Sequence, residues 1–329
     1  MLFFKKLNHQ MLSDSFGRIH NYLRISVTDA CNLGCLYCMP DGENHITSKN
    51  NLMSAEEIEK IASVFVSLGV NKIRLTGGEP LFRKDIKTII HKLSGLPADL
   101  SISTNAFFAE KYIEDFIKAD IKSVNVSLDS LKKEEFNFLT RRDHFSKILS
   151  NIYLLLENGL NVKVNIVVMK GINDNSINDF IEWTKDHLLE VRFIEFMPFD
   201  RNHWNIEKVF SYREILELVE TKYCFHKIQD SFNDTSRKYR ADGHRGTFGI
   251  ISTITDPFCT GCNRLRLTSD GKLKNCLFSA DETDLLTSLR NGIDIIPLIH
   301  STLNMKREER GGQFGKENFI NRSMVSIGG

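Results

Sequence analysis

At 329 residues the chain is long for one compact domain and of a size suited to a barrel-type enzyme with an appended module. Its 43 basic and 42 acidic residues balance, so net charge predicts no nucleic-acid or acidic-membrane partner, and any attraction for anions has to be local. No stretch approaches the ~20 apolar residues of a membrane span, and Met1–Gln10, interrupted by Lys5 and Lys6, is too short for a signal peptide, so a cytoplasmic protein is expected.

In chain order, Ser54 is an N-cap that Glu57 completes as a capping box, and Ile58, Ile61, Phe65 and Leu68 follow at helical spacing until Gly69. Strand-like runs occur at 23–28, 72–76, 100–103, 123–128, 162–168 and 191–195, each followed by a loop and a helical pattern. Six βα units imply a parallel sheet. From about Thr221 the pattern loosens through the polar stretch 229–240 before a new strand-like run at 246–251. A boundary is expected there, with a barrel domain over 1–245 and a second module over 246–329.

Parallel strands covered on both faces normally read as continuous apolar runs. Here Leu23-Arg24-Ile25-Ser26-Val27-Thr28, Lys72-Ile73-Arg74-Leu75-Thr76 and Val162-Lys163-Val164-Asn165-Ile166 alternate. The apolar set can pack on outer helices while Arg24, Lys72, Arg74, Ser103, Ser127, Lys163 and Arg192 share the other face. Complete eight-unit barrels fill their centres with branched apolar side chains, so an α/β fold with an open, incomplete (βα)6 barrel around an anionic ligand is the better reading. The alternative is an open sheet with one solvated face.

The seven cysteines form two tight groups and a singleton, which suggests metal ligands rather than disulfides. Cys31-x3-Cys35-x2-Cys38 follows the first strand at its C-terminal end, where barrel folds place active sites. A four-iron cluster takes a thiolate at each iron, so three cysteines leave one iron open to a chelating small molecule. A structural zinc site would need a fourth ligand, for which His45 stands at no usual spacing. The spacing, with Tyr37 before the last cysteine, resembles the signature of the radical S-adenosylmethionine superfamily. Gly77-Gly78-Glu79-Pro80 resembles that superfamily's glycine-rich motif, whose bare backbone approaches the methionyl group. The same resemblance places Tyr37, Gly78, Ser127 and Met197 at S-adenosylmethionine.

Cys259-x2-Cys262-x13-Cys276 offers three more thiolates, and Arg264-Leu265-Arg266 would set two arginines on one face beside them, suited to phosphate or a purine edge. A zinc ribbon with His244 or His226 is the competing reading. Cys224, between Tyr223 and Phe225, reads as a small buried hydrophobe.

Phe16-Gly17-Arg18, Leu23–Asp29, Cys38-Met39-Pro40, Lys72–Leu81, Arg192–Met197 and the Cys259–Cys276 segment together resemble the GTP 3′,8-cyclase family, the molybdenum cofactor biosynthesis protein A family, from about Phe16 onward. That resemblance implies a radical SAM barrel with a C-terminal iron–sulfur module and two 4Fe-4S clusters, the second contacting guanine. It implies a 5′-deoxyadenosyl radical that removes the C3′ hydrogen of GTP, and closure to (8S)-3′,8-cyclo-7,8-dihydroguanosine 5′-triphosphate. Arg24, Arg74, Ser103, Lys163, Arg264, Leu265 and Arg266 would hold GTP, with Lys72 and Arg192 nearby. Arg264, Arg266 and the terminal Gly328 and Gly329 would act in the catalytic pocket. A homodimer, a separate reductant and a downstream cyclic pyranopterin monophosphate synthase are further implications. Ala30 and Ala106 depart from the family's usual Arg and Gly. A radical S-adenosylmethionine enzyme with an auxiliary cluster acting on a peptide or another small molecule, or a non-catalytic iron–sulfur or zinc protein, are the alternatives.

Overall fold

The computed structural model describes residues 11–41, 47–313 and 320–328; Met1–Gln10, His45 and Gly329 lie outside them. The alternating runs become β1 (Tyr22–Ser26), β2 (Lys72–Thr76), β3 (Asp99–Thr104), β4 (Ser123–Ser127), β5 (Asn161–Val168) and β6 (Glu190–Glu195). Between and after them stand α1 (Ala55–Ser67), α2 (Ile86–Ser94), α3 (Ile113–Lys118), α4 (Lys133–Thr140), α5 (Phe145–Glu157), α6 (Ile177–Trp183) and α7 (Tyr212–Glu220). Ser54 and Glu57 form the expected capping box at the start of α1, satisfying two amides that the helix cannot.

The strand alternation decides the layering. Leu23, Ile25, Leu75, Val124, Val162, Val164 and Phe193 are fully buried against Ile58, Phe65, Ile89, Phe116, Ile152 and Phe180 of the covering helices. Each such side chain contributes about 1.5–3 kcal/mol of burial. The opposite positions carry the polar set.

The C-terminal segment adds β7 (Phe225–Lys227), β8 (Arg237–Ala241), β9 (Thr247–Ile251), β10 (Arg264–Leu267), β11 (Lys272–Lys274) and β12 (Thr283–Asp284), with α8 (Leu285–Arg290), α9 (Ile296–Asn304) and α10 (Met324–Ile327). All twelve strands form one sheet, ordered β12-β11-β10-β1-β2-β3-β4-β5-β6-β9-β8-β7. The six expected units are therefore flanked by β10, parallel to β1, and β9, parallel to β6. The position 245/246 falls between β8 and β9, which are antiparallel neighbours. Residues 252–263 lead from β9 on one flank to β10 on the other, carrying Cys259 and Cys262. That crossing is tied to the barrel by the buried carboxylate of Glu195, which accepts from the amides of Ile254 (2.7 Å) and Thr255 (3.0 Å) and from the Thr255 hydroxyl.

Cys224 is exposed rather than buried: it immediately precedes β7, the outermost strand of the sheet, which is paired on one side only among the described residues. Ala106 sits at φ +61, the conformation for which glycine is usual, at a cost of about 1–2 kcal/mol.

Gly77 and Gly78 pack against the backbone that leads into Cys31. The Gly78 amide donates to Thr28 O at 2.7 Å and that of Glu79 to Ala30 O at 2.9 Å, and a Cβ on Gly78 would stand 2.6 Å from both the Asp29 and Ala30 carbonyl oxygens. Gly78→Ala should destabilise the protein by at least about 2 kcal/mol and lower iron uptake at the first cysteine group; thermal unfolding and iron analysis after anaerobic reconstitution check this.

Candidate active site

The first cysteine loop is held from three sides. The amides of Gly34 and Leu36 donate to Thr140 O and Leu139 O at 2.9 and 3.0 Å, at the end of α4. Arg141, left-handed at φ +56, reaches Met39 O at 2.8 Å and Pro40 O at 2.6 Å. The Tyr37 hydroxyl donates to Asp129 Oδ2 at 2.8 Å, and Asn105 Nδ2 stands 3.9 Å from Cys31 Sγ. Burial pushes the Cys31 thiol up to about 12, with Glu79 adding to the effect, and pushes Cys35 and Cys38 up as well. Cationic iron offsets that cost when thiolates bind it.

The second group is braced differently. Arg18 Nη1 donates to Cys259 O at 3.0 Å, and Asn233 Nδ2 to Gly261 O at 3.0 Å. Lys306 Nζ lies 3.6 Å from Cys262 Sγ and 2.6 Å from Asn275 O. Burial raises the Cys262 thiol, but Arg264 and Lys306 outweigh it and leave it at about 6.

Among the described residues no three His, Cys, Asp or Glu converge tightly enough to hold a single ion. A four-iron cube carries its ligands on different irons and takes thiolates, so the donor set of each group, three cysteines free of disulfides, fits it. His244 is bonded to Thr184 and His226 to Asp242, away from the cysteines.

Beside the second group lies a cavity of about 320 Å³ on the polar strand face. Arg24, Lys72, Arg74, Lys163, Arg192, Arg264, Arg266 and Arg310 line it, against Asp234 as the one acidic side chain among the described residues. Cys259, Cys262, Cys276 and Met197 share its wall. Strand register stacks the cations: Arg266, Arg24, Arg74 and Ser101 stand side by side across β10, β1, β2 and β3. Glu190 answers only two of them, at 2.6 Å from Arg192 and 3.5 Å from Lys163.

Burial, reinforced by neighbouring cations, presses Arg266 down to about 9 and Lys163 to about 8. For arginine this registers unrelieved desolvation and repulsion, since the guanidinium keeps its proton. Arg74 Nε, Ser103 Oγ, Asn125 Oδ1, Asn165 Oδ1 and Arg264 Nη2 are buried with no hydrogen-bond partner among the described residues. Buried polar atoms of this kind call for a polar ligand.

The remaining expected residues divide. Gly328 O accepts from Arg266 Nη1 at 2.6 Å. Ser127 is exposed at the end of β4. Ser103 pairs in register with Asn125 but does not line the cavity. Leu265 is fully buried in the core on the face opposite Arg264 and Arg266, so only its main chain can meet a ligand. Tyr22, Asn125 and Asn165 line the cavity without having been singled out, although the alternation that marks Arg24 and Lys163 marks them too. Lys306 and Arg310 come from a C-terminal stretch with no periodic signal.

The family model described as "Radical SAM superfamily" matches residues 25–184, and "Molybdenum Cofactor Synthesis C" matches 189–311. A curated relative from Arabidopsis thaliana, "GTP 3′,8-cyclase, mitochondrial", is 44% identical over 97% of this chain and 84% of its own. "GTP 3′,8-cyclase" of Peptoclostridium acidaminophilum is 40% identical over 98% of this chain and 99% of its own. The chain belongs to the GTP 3′,8-cyclase family. It spans 51% of the family's human member, "Molybdenum cofactor biosynthesis protein 1", at 40% identity. The fold is similar to that of Streptococcus suis SuiB in its S-adenosylmethionine-bound crystal structure, with a TM-score of 0.63 at 16% identity over 93% of this chain and 77% of that one. No helix among the described residues is long and apolar enough to cross a membrane.

The cavity's charge should respond to pH. Burial raises the Tyr22 phenol, but Arg74, Arg24, Lys72 and Arg264 outweigh it and hold it near 8. Lys163 is charged below about 8 and neutral above it, while Tyr22 gains a negative charge over the same range, so both changes weaken anion binding as pH rises. Affinity of the reconstituted protein for tripolyphosphate should fall roughly tenfold from pH 7 to pH 10. Lys163→Arg should flatten the curve in calorimetric titration.

Proposed function

We propose that this chain is a GTP 3′,8-cyclase that opens molybdenum cofactor biosynthesis. The observation that carries the reading is one cavity in which eight cations and one carboxylate share a wall with the second cysteine triad. A triphosphate relieves the repulsion among those cations, and its base is then directed toward the thiols.

In this reading Cys31, Cys35 and Cys38 hold one 4Fe-4S cluster on residues 1–245, and Cys259, Cys262 and Cys276 hold a second on residues 246–329. Bound there together with S-adenosylmethionine, the first cluster would supply one-electron chemistry for radical generation, the electron coming from the external reductant, and the C3′ hydrogen of GTP would be its target. Tyr37, kept in place by Asp129, Gly78, Ser127 and Met197 bind S-adenosylmethionine. Arg24, Arg74, Ser103, Lys163 and the main chain of Leu265 bind GTP, assisted by Lys72 and Arg192. Arg264 and Arg266, with the Gly328-Gly329 tail, hold the ribose and base so that C3′ faces C8 while water stays out. The reading includes a cytoplasmic homodimer, a reductant of unassigned identity, and hand-over of product to a cyclic pyranopterin monophosphate synthase.

Anaerobic reconstitution should yield about eight irons per chain. Addition of reductant, S-adenosylmethionine and GTP should then give 5′-deoxyadenosine and the cyclised nucleotide by mass spectrometry, with ATP inert. S-adenosylmethionine cleavage indifferent to GTP, with no cyclised nucleotide, overturns the assignment. Arg266→Ala should weaken GTP binding roughly tenfold or more through loss of charge-assisted bonds, and removal of Gly328 and Gly329 should abolish cyclisation while iron content is kept.

A further inference from the structure

Segment 320–328 reaches the active site through very little structure of its own. Its helix α10 is 4 residues long, far too short to be stable without outside contacts. Met324 lines the cationic cavity, whereas Val325 and Ser326 line a second opening with Cys38, Met39, Pro40 and Asp41 of the first cysteine loop. The segment is thus the partition between the two openings.

Besides the mutual hydrogen bonds of Gln313 and Ile320, the bond from Asn321 Nδ2 to Leu277 O and the burial of Ile327, two guanidinium fastenings hold it. At the far end Arg266 donates to Gly328 O at 2.6 Å, and a Cβ on Gly328 would stand 2.6 Å from Thr76 Oγ1 and 2.8 Å from Ser26 Cβ. At the near end Arg322 forms a planar fork: Nη1 and Nη2 lie 3.0 Å from the two oxygens of Asp270, and Nη2 lies 2.5 Å from Glu282 Oε2. Asp270 sits in the turn between β10 and β11, and Glu282 immediately precedes β12. Both fastenings therefore grip the same hairpin, the one that carries Arg264 and Arg266 and leads to Cys276.

We propose that Arg322 is a positioning residue of the active site, a clamp that seats segment 320–328 so that Gly328 meets Arg266 and the partition stays closed. The inference rests on the proposed function for the identity of the cavity's occupant, and on geometry alone for the clamp. A bidentate guanidinium fixes direction as well as distance, which a lysine ammonium cannot do. Removal of Arg322 leaves Asp270 and Glu282 countered by Lys272, at 3.7 and 4.0 Å, and Glu282 also by Lys274 at 3.4 Å. The hairpin should therefore survive the substitution.

The test compares anaerobically reconstituted holoenzyme with its Arg322→Ala and Arg322→Lys variants. Hydrogen exchange read by mass spectrometry should show peptides covering 320–328 exchanging at least tenfold faster in Arg322→Ala, those covering 264–284 unchanged, and Arg322→Lys in between. In the same preparations 5′-deoxyadenosine should still form with GTP present, while cyclised nucleotide per 5′-deoxyadenosine falls at least fivefold. Unchanged exchange at 320–328, equal loss of protection at 264–284, or a released segment with an unchanged product ratio each overturns the proposal. If the parent enzyme makes no cyclised nucleotide, the functional reading fails, and the exchange data still decide whether Arg322 is a clamp.

Discussion

The rest of this structure depends on keeping mutually repelling cations together away from bulk water. Arg266, Arg24 and Arg74 stand abreast on three adjacent parallel strands, with Lys72, Lys163, Arg192 and Arg264 close by. No surface ion pair would require this, and a sheet with a solvated face would let the side chains spread. The arrangement persists because the other face of β1, β2 and β10 is a continuous apolar layer of buried side chains, and side chains on a strand cannot choose their face independently.

Burial raises the thiols of the first cysteine group and of Cys259, and Cys262 is the exception. The first group lies among apolar and acidic neighbours, Glu79 and Asp129 among them, so its thiolates need iron. In the second, Cys262 lies beside Arg264 and Lys306, which favour its thiolate before any metal arrives. Local backbone devices hold each one: the Gly78 approach and the Arg141 carbonyl clamp for the first, Arg18 and Glu195 for the crossing that carries the second.

Much of this was legible in the residue order. Arg24, Arg74 and Lys163 were marked by alternation with buried neighbours, and both cysteine groups by spacing, because each signal is local and periodic. Leu265, one residue from two cavity arginines, points its side chain into the core, so the sequence pattern leaves only its main chain on the cavity side. Cys224 shows the limit of composition, since a cysteine between aromatics is exposed where it leads into the outermost strand.

By itself the sequence determined the two thiol triads, the six βα units and the choice of face for each strand residue. Only the tertiary structure decided that β9 and β10 extend the barrel at opposite flanks, that residues 252–263 therefore bring Cys259 and Cys262 to the cationic face beside Cys276, and that Lys306, Arg310 and segment 320–328 close around them. The division has a physical cause. Periodicity records which way a side chain points, whereas contacts between residues 200 or more positions apart depend on the order in which strands pair, which leaves no local pattern to read.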